Sequence, residues 1–194
     1  MTAPTWHYGV MAHYWAEFNT DGPEIDYFRR YVEAGQPALD LGCGTGRLLL
    51  PYLRDGLDVD GCDVSADMLA RCREAAEREG LTPSLYAQPK HELDLPRRYR
   101  TIFMCGALGV GSTRAEDLEA MRRVYDHLEP GGMFVVDNEV PYFKDEIVLM
   151  LERAGFVDVT VRAALTDAEP TAADDFLVFT ARRPAALPSS DGRG

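Results

Sequence analysis

At 194 residues and 46% apolar content, the chain is long enough to bury one full core and short enough to be a single domain. Its formal net charge of −12 argues against a general nucleic-acid binder, since neutralising phosphate takes clustered Lys and Arg. No window approaches the ~20 continuous apolar residues of a membrane span. The amino terminus, with Pro4, Trp6 and His7, lacks the basic-then-apolar run of a secretory signal. Cys43, Cys62, Cys72 and Cys105 form no C-x-x-C pair, so they read as small hydrophobes in a reduced, cytoplasmic chain with no metal.

Residues 1–34 read as a helical extension, with helices at Ala12–Phe18 and Pro23–Ala34 split by the turn cluster Asn19-Thr20-Asp21-Gly22. Alternation follows: strand 38–41, helix 45–54, strand 57–62, helix 65–79, a short strand 84–87 and strand 100–105. Next come helix 114–128, strand 133–137, helix 143–154, strand 156–162 and strand 175–182. Strands alternating with helices over this length predict an α/β fold with a doubly wound, mostly parallel sheet and helices on both faces. The last two strands also suit an antiparallel hairpin with a wide loop. Residues 35–183 form the main domain, and 184–194, rich in Pro, Ser, Asp and Gly, read as a disordered tail. Arg97, Arg98 and Arg100 read as a solvated loop before a strand.

The most informative stretch is 38–50, Ala-Leu-Asp-Leu-Gly-Cys-Gly-Thr-Gly-Arg-Leu-Leu-Leu. A buried strand runs into a glycine turn and then a helix, an arrangement that can cradle a cofactor. Gly42, Gly44 and Gly46 alternate, and Arg47 stands where the dinucleotide fingerprint G-x-G-x-x-G needs its third glycine. That departure disfavours a nicotinamide oxidoreductase. Asp63 lies at the end of the next strand, 17 residues past Gly46, where a carboxylate can accept from two vicinal ribose hydroxyls. Ser65 caps the helix that follows, whose inner face carries Met68, Leu69, Cys72 and Ala76.

These motifs resemble those of class I S-adenosylmethionine-dependent methyltransferases. His-Leu-Glu-Pro-Gly-Gly-Met-Phe-Val-Val-Asp (127–137) and Leu-Glu-Arg-Ala-Gly-Phe (151–156) extend the likeness over roughly residues 10–182. The resemblance implies a Rossmann-like seven-stranded sheet with its last strand reversed, and S-adenosylmethionine as the cofactor. It implies a site built from Asp40, Gly42, Cys43, Gly44, Gly46, Asp63, Val64, Met68, Gln88, Cys105 and Gly106, with Tyr14 closing it from the amino-terminal helix. Asp40 would order the methionyl end, Asp63 the ribose, and Gln88 the adenine amino group. Each has a plainer alternative: a tight turn for the glycines, a capping acid for Asp63, a loop amide for Gln88, and core anchoring for Tyr14 and Met68.

The implied reaction is methyl transfer to a small-molecule acceptor, with neither nucleic acid nor membrane as partner and a homodimer left open. The alternatives are a non-catalytic S-adenosylmethionine-binding domain, or a shortened enzyme without a substrate lid. Only Asn138-Glu139-Val140-Pro141-Tyr142 separate Asp137 from the helix near Phe143, where many family members insert such a lid. Acid–base candidates are His7, His13, Tyr14, Asp137, Glu139 and Tyr142, of which His13, Tyr14 and Glu139 stand first; His91 and His127 read as exposed. No catalytic group is assigned from the sequence.

Overall fold

The computed structural model describes residues 7–138, 142–171 and 173–186. Helices α1 (Val10–Phe18) and α2 (Glu24–Ala34) precede a seven-stranded sheet. Its strands are β1 (Ala38–Leu41), β2 (Val59–Asp63), β3 (Leu85–Ala87), β4 (Tyr99–Met104), β5 (Leu128–Asn138), β6 (Val157–Ala163) and β7 (Leu177–Arg182). Between them run α3 (Leu49–Arg54), α4 (Ala66–Arg78), α5 (Arg114–His127) and α6 (Lys144–Arg153), with one 3-10 turn at Lys90–Glu92. The strand order is β3-β2-β1-β4-β5-β7-β6. β7 runs antiparallel to both neighbours, and the pairings among β1 to β5 are parallel. Both features match the architecture expected from the motifs.

Period-two alternation explains how the sheet is covered on both faces. Leu39, Leu41, Ile102, Met104, Phe134, Val136 and Phe179 face α5 and α6, packing against Met121, Val124, Ile147 and Leu151. Ala38, Phe103, Val135 and Val178 face the other way, against Phe28 and Val32 of α2, Leu49 and Tyr52 of α3, and Leu69 and Cys72 of α4. Asp40 occupies a position of this second set, a buried acid where the pattern otherwise places an apolar side chain.

Two elements differ from expectation. Residues 44–48 form turns, and α3 starts only at Leu49. The cause is local: Gly42, Gly44 and Gly46 all have positive φ, which a right-handed helix does not use. β5 is longer than expected and begins at Leu128, which pairs with Tyr99 ahead of a register shift. Its glycine turn is held from outside the β4 ladder, since Gly131 N–H donates to the Arg183 carbonyl at 3.0 Å.

The amino-terminal helices are fastened to the sheet end that carries the site. Ser65 Oγ donates to the His7 carbonyl at 2.5 Å and Gly9 N–H donates to Asp67 Oδ2 at 2.7 Å, tying the entry of α1 to the start of α4. Tyr52 hydroxyl donates to the Ile25 carbonyl at 2.7 Å, fixing α2 to α3. No helix among the described residues is long and apolar enough to cross a membrane.

Candidate functional site

The chain leaves β1 toward β2 on one side and leaves β4 toward β5 on the other, so the two central strands mark the switch point where open α/β sheets bind ligands. There, at the carboxyl ends of β1, β2 and β4, lies a cavity of about 710 Å³. Its walls are the glycine loop 42–48, the end of β2 with Val64 and Met68, the turn Gln88–His91, the loop after β4, and residues 7–24. Of the residues the motifs implied, Asp40, Gly42, Cys43, Gly44, Asp63, Val64, Met68, Gln88, Cys105 and Gly106 come together here.

The glycines do different jobs. A Cβ on Gly42 would lie 2.6 Å from Ala107 Cβ, and one on Gly46 would lie 2.7 Å from Cys72 Sγ. Both positions are glycine because the protein packs against them, and Gly46 does not line the cavity. Gly44 (φ 54) and Gly106 (φ 65) are the reverse case: an added Cβ would meet nothing within 4 Å, and both residues border the cavity. Bare backbone is thus offered to whatever occupies that space.

Two acids face the same cavity. Asp63 is held on both sides, accepting the Gly44 N–H on Oδ2 at 2.9 Å and the Ser65 N–H on Oδ1 at 2.8 Å. Each carboxylate oxygen keeps a lone pair for a further donor. Asp63 thereby sets the distance between the glycine loop and α4. Its pKa is raised by burial, against the opposing pull of these two N–H groups. Asp40 is only 3% exposed, and no donor among the described residues hydrogen-bonds its carboxylate. Burial, with Asp63 adding to it, pushes its pKa up to about 8 despite the opposing charge of Arg47.

Arg47 has a partner that the motif does not reveal. Its guanidinium donates to Glu24 Oε2 at 2.8 Å and reaches Cys105 Sγ at 3.6 Å, strapping the glycine loop to α2 and to the end of β4. A glycine fingerprint carries no signal for a pair 23 residues apart in sequence.

The remaining candidates divide. Tyr14 is half exposed, stacks on Phe18 and does not line the cavity; Trp15, on the other side of α1, does. His13 points outward to Glu17, and Glu139 lies outside the described residues. Gln88 lines the cavity with its side-chain amide engaged at both ends: Oε1 accepts from Asp94 N–H at 2.9 Å and Nε2 donates to the Asp94 carbonyl at 3.1 Å. Asp137 is buried beneath the site, where Oδ1 accepts the Gly106 N–H at 2.7 Å. Tyr142 donates to Asp117 Oδ2 at 2.5 Å.

The sequence reads both His91 and His127 as exposed, whereas the structure half-buries them. His91 lines the cavity, 3.7 Å from Glu116. His127 accepts the Leu95 N–H on Nε2 at 3.0 Å, so its proton sits on Nδ1, 2.7 Å from the Arg123 carbonyl. His7 also borders the cavity, and burial lowers its pKa while the Asp63 charge raises it. Arg97 pairs with Asp58 and Asp60, Arg98 donates to the Asp126 carbonyl and Arg100 lies 3.7 Å from Glu129, so this trio is bound into local structure.

Residues 38–132 match the family model described as a methyltransferase domain. Over 113 residues the chain is 28% identical to dTDP-3-amino-3,4,6-trideoxy-alpha-D-glucopyranose N,N-dimethyltransferase of Streptomyces venezuelae, covering 58% of this chain and 46% of that one. Over 100 residues it is 33% identical to the ubiquinone biosynthesis O-methyltransferase of Nitrobacter winogradskyi, covering 52% of this chain and 37% of that one. These matches span less than half the length of the first curated relatives, 44%, 46% and 47%. The fold is shared with the solved structure of an S-adenosylmethionine-dependent methyltransferase from Clostridium acetobutylicum, at TM-score 0.77 and 15% identity over 91% of this chain and 98% of that one.

Proposed function

The chain belongs to the class I S-adenosylmethionine-dependent methyltransferases, and on that premise we propose that it transfers a methyl group to a small-molecule acceptor. The observation that carries the reading is Gly44. Its backbone faces open cavity at a φ that favours glycine, with the acids Asp40 and Asp63 on the same cavity wall. A ligand fitting this wall has a cation to meet Asp40 and hydroxyls to meet Asp63. S-adenosylmethionine has both, an α-ammonium and a ribose diol, and the two acceptors fit it.

When bound, the cofactor supplies a sulfonium methyl that leaves by in-line displacement as the sulfur becomes neutral. The chain's own task is then positioning, which can contribute several kcal/mol of barrier lowering. Asp40 would accept hydrogen bonds from the ammonium, whose charge favours its ionised form. Asp63 holds the ribose with the lone pairs left over from its loop contacts. Gly44 and Gly106 would let backbone approach closely, and Val64 and Met68 would supply apolar lining to the group held there. Trp15 of α1, and His7 just ahead of that helix, line the same cavity. Where an acceptor must lose a proton, His7 and His91 are the imidazoles lining the cavity, and burial favours a neutral, accepting His7.

A small-molecule acceptor is supported by the relatives named for an amino sugar and for ubiquinone synthesis. The net charge of −12 supports an acceptor other than nucleic acid, and the reduced cysteines a cytoplasmic site of action. The residues separating β5 from α6 are few, so the acceptor side is covered by α1 and α2 or by a second copy of the chain.

Calorimetric titration with S-adenosylhomocysteine, with NADH in parallel, tests the reading. Binding of the thioether alone is expected. NADH binding alone would overturn the cofactor assignment, and thioether binding without turnover across acceptor classes would favour a non-catalytic binding domain.

A further inference from the structure

We propose that the buried Lys90–Asp117 ion pair is a positioning device that pins the loop 106–112 as one wall of the cavity. The pinning stands on geometry alone; what the wall is for rests on the methyl-transfer reading above.

The loop has little stiffness of its own. Gly106, Gly109 and Gly111 all have positive φ, at 65°, 78° and 63°. Three such glycines in six residues leave many backbone states open. The loop nevertheless borders the cavity with Gly106, Ala107, Val110, Gly111 and Ser112. Something must select one conformation.

Lys90 supplies the selection. It sits on the 3-10 turn after β3, and its Nζ donates to the Ala107 carbonyl at 2.7 Å and reaches the Val110 carbonyl at 3.4 Å. Its third partner is Asp117 Oδ1 at 3.0 Å. An ammonium has three donors, so this one is fully committed to the protein and holds none back for substrate. Asp117 is 0% exposed. It also accepts the Ser112 hydroxyl on Oδ1 at 2.7 Å and the Tyr142 hydroxyl on Oδ2 at 2.5 Å. One carboxylate on the first turns of α5 thus gathers donors from the turn after β3, the loop after β4 and the segment after β5.

A stabilising role alone does not account for this arrangement. Buried ion pairs contribute little net stability against well-packed apolar side chains, but they do specify one geometry among several. Burial lowers the proton affinity of Lys90, and the charge of Asp117 offsets that cost. The carbonyls the ammonium holds belong to the very loop that walls the cavity, within reach of the bare backbone at Gly106.

The test compares wild type, Asp117→Asn and the double variant Lys90→Met/Asp117→Asn. Lys90→Met alone would strand a buried carboxylate, so the double variant removes both charges together. Amide hydrogen exchange across the chain is read together with calorimetric titration by S-adenosylhomocysteine. In the double variant, exchange at 107–112 is expected to rise about tenfold or more while β1, β4 and β5 keep wild-type protection, with S-adenosylhomocysteine affinity falling about tenfold. Asp117→Asn leaves the Lys90 ammonium its two carbonyl acceptors but no counter-charge, and is expected to raise exchange at 107–112 as well.

Unchanged exchange at 107–112 overturns the proposal, as does acceleration spread evenly over the chain, or a loosened loop with unaltered affinity. If the double variant does not fold, Asp117→Asn decides: exchange at 107–112 must rise above that of the flanking strands. Wild-type protein that fails to bind S-adenosylhomocysteine defeats the cofactor reading, while the exchange arm still decides the pinning.

Discussion

Asp40 concentrates the chemistry of the site in one side chain. Its pKa of about 8 against an ordinary 3.8 means that the empty native state holds a proton that the unfolded chain has released. Stability from this group is therefore full below the unfolded value and is lost as pH rises from about 4 to about 8. Asp40→Asn is expected to stabilise the empty protein by an amount that grows over that window and levels off above it, as read by denaturant midpoints at about pH 5, 7 and 9. The same variant should bind S-adenosylhomocysteine at least about tenfold more weakly, since the ammonium loses its counter-charge. At neutral pH the wild-type titration should release a proton, seen as a binding enthalpy that follows the buffer. The glycines make a second contrast. Gly44→Ala puts a methyl into the cavity and is expected to weaken S-adenosylhomocysteine binding about tenfold with a stability cost of about 1 kcal/mol from its φ. Gly46→Ala drives into Cys72 and Leu50 and is expected to cost about 1–3 kcal/mol of stability. The place of Gly44 and Asp63 at the cavity is legible in the sequence because strand ends and glycine turns are local features. Arg47 with Glu24, and Gln88 with Asp94, were not: each side chain's partner is set by tertiary geometry that spacing does not encode.

At the scale of elements, caps place the helices that frame the cavity. Thr113 and Glu116 form a reciprocal box at the start of α5, with Thr113 Oγ1 accepting the Glu116 N–H at 3.3 Å and Glu116 Oε2 accepting the Thr113 N–H at 2.7 Å. Thr113→Ala is expected to cost about 1 kcal/mol, measured by thermal unfolding, and to loosen the turn that presents Asp117. Ser65 caps α4 with a single bond, its Oγ accepting the Met68 N–H at 3.2 Å, and is readable from its place before an amphipathic run. Most strand limits were readable to within two residues, since buried apolar runs bounded by turns leave little freedom. α3 starts later than the sequence suggests because Gly44 and Gly46 turn the backbone aside, and only Arg47 and Leu48 continue the helical pattern ahead of Leu49. The long β5 was missed because Pro130-Gly131-Gly132 reads as a turn, and its strand character depends on Arg183 from the far end of the chain.

For the whole molecule, the arrangement of layers was legible and the cover over the site was not. Alternating strands and helices led to the doubly wound sheet, whereas the face of α1 that meets the cavity, with Trp15 inward and Tyr14 outward, depends on how that helix lands on α4. A ligand that fits the assembled cavity stabilises the entire fold by mass action. S-adenosylhomocysteine at a hundredfold excess over its Kd is expected to raise the unfolding midpoint by roughly 5–10 °C.

The switch point also has a temporal meaning. β1 pairs with β2 through a short local crossover, but it meets β4 only after some sixty residues of intervening chain have been ordered. The cavity straddles that junction, drawing on residues within 7–24, 40–48, 62–68 and 88–91 from one side of it and 105–112 from the other. Neither half alone closes the cavity, so a ligand meets its full set of contacts only when the slow, non-local pairing is complete. S-adenosylhomocysteine is accordingly expected to slow unfolding in proportion to its occupancy and to leave the refolding rate untouched, which stopped-flow denaturant jumps would resolve. The cofactor, on this account, locks a finished protein and does not help to build one.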